Sequence, residues 1–129
     1  MKCVTLPVFL AGLAPGFLSC ALLVANNLRD ETTDRIAKKM TLIARFGKIF
    51  GRMEYIACIF LAILVPFTLV IFTKTPIRFL LPSLIFFPPL HPIWKVLTFK
   101  EPEELIPVLK QSALLQILYT LIFCGAASL

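Results

Sequence analysis

From Leu6 to Ala25 the chain carries no charged residue, and the same holds from Tyr55 to Thr73. At 1.5 Å of rise per residue, twenty helical residues cover about 30 Å, the thickness of a bilayer's hydrocarbon core. Lipid offers backbone N–H and C=O groups no partner, so a single apolar run crosses it as a helix that bonds to itself. Two further runs, about 77–94 and 106–129, extend the pattern. The expected fold is therefore all-α: an integral membrane helical bundle of about four transmembrane helices, spans about 6–25, 55–73, 77–94 and 106–129. Residues 1–129 read as a single membrane domain with one long connection, 26–54. Composition agrees, since 59% of the residues are hydrophobic and the mean hydropathy is +0.91, against roughly 45–50% apolar residues in soluble domains.

Prolines qualify this pattern. Gly12, Pro15 and Gly16 sit near the middle of the first run and predict a kink or weak point. Pro66 lies inside the second. The third is crowded by Pro76, Pro82, Pro88, Pro89 and Pro92. Each removes a backbone donor, so this segment is expected to bend and to pack against protein or line a cavity. Lys110, near the start of the fourth run, is long enough to reach the surface. Met1-Lys2 and the following apolar run also resemble a secretory signal, with Leu18-Ser19-Cys20 at a lipoprotein-like cleavage position. Phe17 is too bulky for that site and the run continues to Ala25, so a retained span is expected.

Charge sets the orientation. Arg29, Arg35, Lys38, Lys39, Arg45, Lys48 and Arg52 lie between the first two runs, and Lys95, Lys100 and Lys110 between the last two. Only Lys2, Lys74 and Arg78 fall on the other side. The positive-inside rule puts the Asn26–Met53 connection in the cytoplasm and both chain ends outside, in a multi-pass protein of the cell (inner) membrane. The same rule accounts for the net charge of +6; no basic patch interleaved with aromatics argues for nucleic acid. Cys3, Cys20, Cys58 and Cys124 form no CxxC and read as small hydrophobes. His91 reads as a packed or interfacial residue, with a general base as the alternative, and the span-flanking Tyr55 and Trp94 read as interface anchors. Phe60, Phe67, Phe86 and Phe87 read as lipid-facing or packing side chains, with cation stabilisation by a cavity wall as the alternative.

The connection has two patterns of its own. Ile36, Met40, Ile43, Phe46, Phe50 and Met53 recur at three- and four-residue steps among basic residues, predicting a basic amphipathic helix broken near Gly47 or Gly51. It suits anionic lipid headgroups, or a cap over a membrane cavity with its basic face towards a diphosphate. Ahead of it, Asn26, Asp30 and Asp34 step by four, with Asn27 three before Asp30. On a continuing helix they share one face. Two carboxylates at the end of a span suit a magnesium ion, which takes one or two carboxylates and fills its octahedron with water and phosphate oxygens. Arg29, Arg35, Lys39 and Arg45 are placed to neutralise remaining negative charge. A solvated polar connection with alternating charges is the plain alternative.

Asn26-Asn27-Leu28-Arg29-Asp30…Asp34-Arg35…Lys39…Thr41-Leu42…Arg45-Phe46-Gly47 resembles the second aspartate-rich motif of the UbiA-type membrane prenyltransferases. Within that superfamily it is most similar to the 1,4-dihydroxy-2-naphthoate polyprenyltransferases of menaquinone synthesis. Lys38 stands where their pattern usually has glycine. The resemblance implies one half of a UbiA-type fold, Mg2+ as cofactor, and a polyprenyl diphosphate and an aromatic acceptor as substrates. It implies metal and diphosphate binding for Asp30 and Asp34, diphosphate binding for Arg35, Lys39 and Arg45, and supporting roles for Asn26, Asn27 and Arg29. The first aspartate-rich motif has no counterpart in these residues, so the chain is expected to be inactive alone, with an N-terminal half-protein or a second copy as partner. The alternatives are a non-catalytic membrane remnant, a helical subunit, or a prenyltransferase with another aromatic acceptor.

Overall fold

The computed structural model describes residues 5–86 and 90–128, and of Phe86 and Leu90 the backbone only. Met1, Lys2, Cys3, Phe87, Pro88, Pro89, Leu129 and the Phe86 side chain therefore lie outside the described residues. Among the described residues, the chain forms α1 (Leu6–Arg29), α2 (Glu31–Ile36), α3 (Leu42–Phe46), α4 (Lys48–Thr73), α5 (Leu90–Thr98) and α6 (Ile106–Ser128). Two 3-10 helices, Ile77–Phe86 and Pro102–Leu105, complete it. Three segments of the described residues are long and apolar enough to cross a membrane: Leu6–Arg29, Lys48–Thr73 and Pro102–Ser128.

Helix α1 runs unbroken through Gly12, Pro15 and Gly16, and α4 through Pro66. The hydroxyl of Ser19 donates to the Pro15 carbonyl at 2.9 Å, and that of Thr68 to Val65 at 2.7 Å, occupying carbonyls beside each proline. Within 77–94 the described residues form a 3-10 helix over Ile77–Phe86, with Pro82 inside it, and the start of α5 from Leu90. Helix α4 begins seven residues before the expected span, at Lys48. Charge marks where the hydrocarbon ends, whereas the helix continues as long as its hydrogen bonds do.

The three long helices meet along seams with alternating four- and three-residue steps. Helix α1 buries Ala14, Leu18, Ala21, Ala25 and Leu28; α4 buries Gly51, Tyr55, Cys58, Ala62, Val65 and Leu69; α6 buries Val108, Ser112, Leu115 and Tyr119. Lipid tails are as apolar as leucine, so transfer out of water does not drive this association. Small residues do, by letting backbones approach and dispersion contacts accumulate. Gly51 shows how closely: a Cβ there would lie 2.8 Å from carbons of Ile43 and Leu28. Polar cross-links add to it. The hydroxyls of Tyr55 and Ser112 are hydrogen-bonded at 2.9 Å, and Gln116 Nε2 donates to Ser19 Oγ at 2.7 Å. Tyr55, expected as an interface anchor, is instead 1% exposed and ties α4 to α6, because its ring falls on the seam of a helix that starts earlier than expected. Trp94 is exposed. So are Phe60 and Phe67, on the outer side of α4. Cys20, Cys58 and Cys124 are free, Cys58 being buried.

The basic side chains separate towards the two ends of the bundle. At one end Arg52 Nη2 donates to the Phe99 carbonyl at 3.1 Å, and Lys48 and Arg52 stand over the Phe99 ring. Nearby Lys95 pairs with Glu104, whose carboxylate also accepts from the Lys100 and Glu101 N–H groups. At the other end Arg78 Nε donates to the Ala126 carbonyl at 2.8 Å, satisfying an orphan acceptor in the last turn of α6.

Gly51→Ala is expected to overpack the α1–α4 contact and cost about 1–3 kcal/mol. A detergent unfolding titration checks this; an unchanged midpoint contradicts the close approach. Gly47, between α3 and α4, has φ 89° and ψ 174°, a region essentially open only to glycine, so Gly47→Ala is expected to cost a further about 1–3 kcal/mol in the same titration.

Candidate functional site

Helix α1 ends at Arg29 and α2 starts at Glu31, with Asp30 as the joint at φ −92° and ψ 7°. The helical ladder survives the joint. The Asp30 N–H donates to the Asn26 carbonyl at 3.0 Å, and the Asp34 N–H to the Asp30 carbonyl at 2.8 Å. The Thr33 hydroxyl also donates to the Asp30 carbonyl at 2.8 Å. Asp30 and Asp34 are thus one turn apart at the end of an apolar helix.

Helix α2 closes on a left-handed residue. The Lys38 N–H donates to the Arg35 carbonyl and the Lys39 N–H to the Asp34 carbonyl, at 3.1 and 2.8 Å. This pair of bonds needs a positive φ between helix and exit, usually supplied by glycine. Lys38 supplies it at φ 57°. The departure from the glycine pattern leaves the turn in place at some strain. The turn also sends Lys39 back onto Asp34, with Nζ 3.3 Å from Oδ1. Thr41 then caps α3, its hydroxyl accepting from the Ala44 N–H at 3.2 Å. The amphipathic stretch is thus interrupted twice, by the 37–41 turn and at Gly47. Of its apolar stripe Ile43 alone is buried; Ile36, Met40, Phe46, Phe50 and Met53 remain exposed.

Each carboxylate of the joint carries a cation. Arg29 forms two parallel hydrogen bonds to Asp30, at 2.7 and 2.8 Å. Arg35 pairs with Glu31 at 2.7 Å and Lys39 with Asp34. Glu31 and Asp34 are both buried. Asp34 Oδ2 is buried and has no hydrogen-bond partner among the described residues. Hydrogen bonds from Arg29 hold the Asp30 carboxyl below its usual value, against a smaller opposing effect of burial, and the charges of Arg29 and Lys39 lower it further. Lys39 therefore acts on both aspartates. Asn26 and Asn27 are half-buried on α1. Arg45 is not drawn into this cluster; it lies exposed with its guanidinium over the Phe46 ring. Among the described residues no three His, Cys, Asp or Glu side chains come together as a metal site. Glu31 was not legible as part of the patch: only its three-residue spacing to Asp34 hinted at a shared face. His91 is exposed, its Nδ1 3.4 Å from Gln111 Oε1, at the edge of an apolar groove formed by Ile85, Leu114 and Leu118.

Lys38→Gly is expected to relieve the left-handed strain and stabilise the chain by about 0.5–1 kcal/mol; a lower unfolding midpoint would contradict the turn. The Asp30 pair carries a pH signature. Its folded carboxyl titrates below the reference value of 3.8, so its contribution to stability is complete above that value and is lost as pH falls below it. Arg29→Gln is expected to move the Asp30 titration upwards, as read by carboxyl infrared bands or carbon NMR; an unmoved titration contradicts the pairing.

Over 113 residues, 88% of the chain, the sequence is 36% identical to the 1,4-dihydroxy-2-naphthoate octaprenyltransferase of Mycobacterium tuberculosis. Over 119 residues, 90% of the chain, it is 32% identical to the enzyme of the same name from Haemophilus influenzae. In each case the chain spans 38% of the length of the curated relative. No protein-family model matches the chain, and no solved structure does. The chain, an all-α membrane bundle, is thus similar to two 1,4-dihydroxy-2-naphthoate octaprenyltransferases over a little more than a third of their length.

Proposed function

We propose that this chain supplies the second aspartate-rich half of a membrane prenyltransferase that moves a polyprenyl group from its diphosphate to 1,4-dihydroxy-2-naphthoate in menaquinone synthesis. The observation that carries the reading is Asp34: a carboxylate buried at the end of a membrane helix, with one oxygen lacking any donor, one turn from a second aspartate. Such an oxygen is costly unless something positive occupies the space before it.

A hard divalent cation fits this donor set. Magnesium takes one or two protein carboxylates and keeps the rest of its shell for water and phosphate oxygens, so two aspartates suffice where three ligands are not assembled. Asp30 and Asp34 would hold it, and the bound ion would supply Lewis-acid stabilisation of the departing diphosphate. The chain's own residues do the remaining work. Arg29 fixes the Asp30 carboxylate in a planar two-bond grip. Arg35 and Lys39 neutralise diphosphate oxygens, whereas Arg45 stands apart on α3. Asn26 and Asn27, one turn before the joint, orient the carboxylates or contact substrate. The allylic C–O bond breaks with its electrons leaving on the diphosphate, and an acceptor ring carbon bonds to the allylic carbon. With dihydroxynaphthoate the carboxylate departs as carbon dioxide. The isoprenoid tail lies among the helices towards lipid.

The excess of basic residues around the joint supports a cytoplasmic orientation for Asn26–Met53 in the inner membrane. The remaining elements of the clamp, including a second acidic motif, come from an N-terminal half or a second copy.

In membranes containing the complete enzyme, Asp30→Asn and Asp34→Asn are each expected to lower magnesium-dependent prenyl transfer by at least about a hundredfold. Near-full transfer in either variant defeats the site assignment. The 129 residues assayed alone are expected to show no transfer, because half a clamp leaves diphosphate charge uncompensated at the membrane edge; turnover by the isolated chain overturns that and favours a self-assembled pair.

A further inference from the structure

The three ion pairs of the joint use the same cations that a diphosphate needs. Arg35 is bound to Glu31, Lys39 to Asp34 and Arg29 to Asp30. The three pairs are not equivalent. Arg29 is held by two short bonds to an adjacent residue, whereas Lys39 makes one longer contact of 3.3 Å, from a side chain that is 60% exposed. It reaches Asp34 Oδ1 and leaves the buried Oδ2 without a partner. A lysine ammonium is a compact point charge on a flexible stem, suited to leaving one anion for another.

We propose that Lys39 is the resident counter-ion of the aspartate pair, and that a divalent cation displaces it, freeing the ammonium for the diphosphate that arrives with the metal. The inference rests on the reading of Asp30 and Asp34 as a metal–diphosphate site and assigns Lys39 a second, opposing role there. Without metal, Arg29 compensates Asp30 and the lysine compensates the buried Asp34. When the metal enters, the aspartates exchange one cation for another, and the released lysine meets phosphate oxygens. No covalent bond changes. The closure of α2 makes the exchange local: backbone bonds from Lys38 and Lys39 anchor the turn, so only the Lys39 side chain has to move. Arg35 does not share this role, because Glu31 is a separate carboxylate that keeps it off both aspartates.

The role predicts effects of opposite sign on two ligands. The full chain in lipid nanodiscs is titrated with Mn2+ alone, read by the loss of the free-ion paramagnetic resonance signal, and then with inorganic pyrophosphate at saturating Mn2+. Lys39→Met removes the competing charge and is expected to bind Mn2+ about tenfold more tightly. The same variant is expected to bind pyrophosphate about tenfold more weakly. Lys39→Arg is expected to restore weak Mn2+ binding. Because the side chain is mostly exposed, neither variant is expected to disturb folding. If Lys39→Met leaves Mn2+ affinity unchanged or lowers it, while Asp34→Asn abolishes Mn2+ binding, the counter-ion role is wrong and the metal site stands. If neither the parent chain nor any variant binds Mn2+, both readings fall.

Discussion

A carboxylate at the edge of a hydrocarbon layer must be neutralised, and most of what is particular to this chain follows from how it meets that demand. Asp30, Glu31 and Asp34 sit at the end of an apolar helix long enough to cross a membrane, and two of them are buried. Each finds a cation within the same short stretch, Arg29, Arg35 and Lys39. A patch that balanced its own charge with nothing to spare would be a structural lock. The buried Asp34 oxygen with no partner distinguishes this one from a lock, since it leaves capacity for a further positive ligand.

Backbone geometry makes the balance possible. The left-handed Lys38 reverses the chain so that Lys39 returns to Asp34, and Gly47 adopts a conformation closed to other residues so that α4 can start at once. Helix α4 then places Gly51 against Ile43 and Leu28, holding the connection down on the α1–α4 seam. The site is therefore tied to the most closely packed part of the bundle, while the apolar stripe of the connection stays exposed. Precise placement of charge and a free outer surface coexist because different faces of the connection carry them.

The three long helices were legible because absence of charge over about twenty residues has few physical meanings. The break near Gly47 was legible from the glycine itself, and the departure of residues 77–86 from α-helix from Pro82. Three features were not. That α4 runs without a break from the connection into the span was hidden, because hydropathy reports where lipid ends, not where hydrogen bonding does, and Tyr55 was therefore expected at the interface instead of the seam. Glu31 was hidden because its burial depends on the joint at Asp30, which shifts the helical face by an amount no spacing rule supplies. Arg45 matched the motif in sequence yet lies apart from the carboxylates, because Thr41 begins a new helix whose direction the sequence does not specify. The resemblance to known prenyltransferases was carried by Asn26 to Gly47, and the similarity to two curated relatives extends over most of the chain.

The central claim is that Asp30 and Asp34 hold a divalent cation at the membrane edge. Iron-directed cleavage tests it by position: Fe2+ takes the place of Mg2+ in nanodisc-embedded chain, ascorbate and peroxide generate radicals at the bound ion, and the cut sites are mapped by mass spectrometry. The account predicts cuts clustered around residues 26–39 and suppressed by excess Mg2+. Cuts concentrated at Glu101–Glu104, or a pattern indifferent to Mg2+, would contradict it.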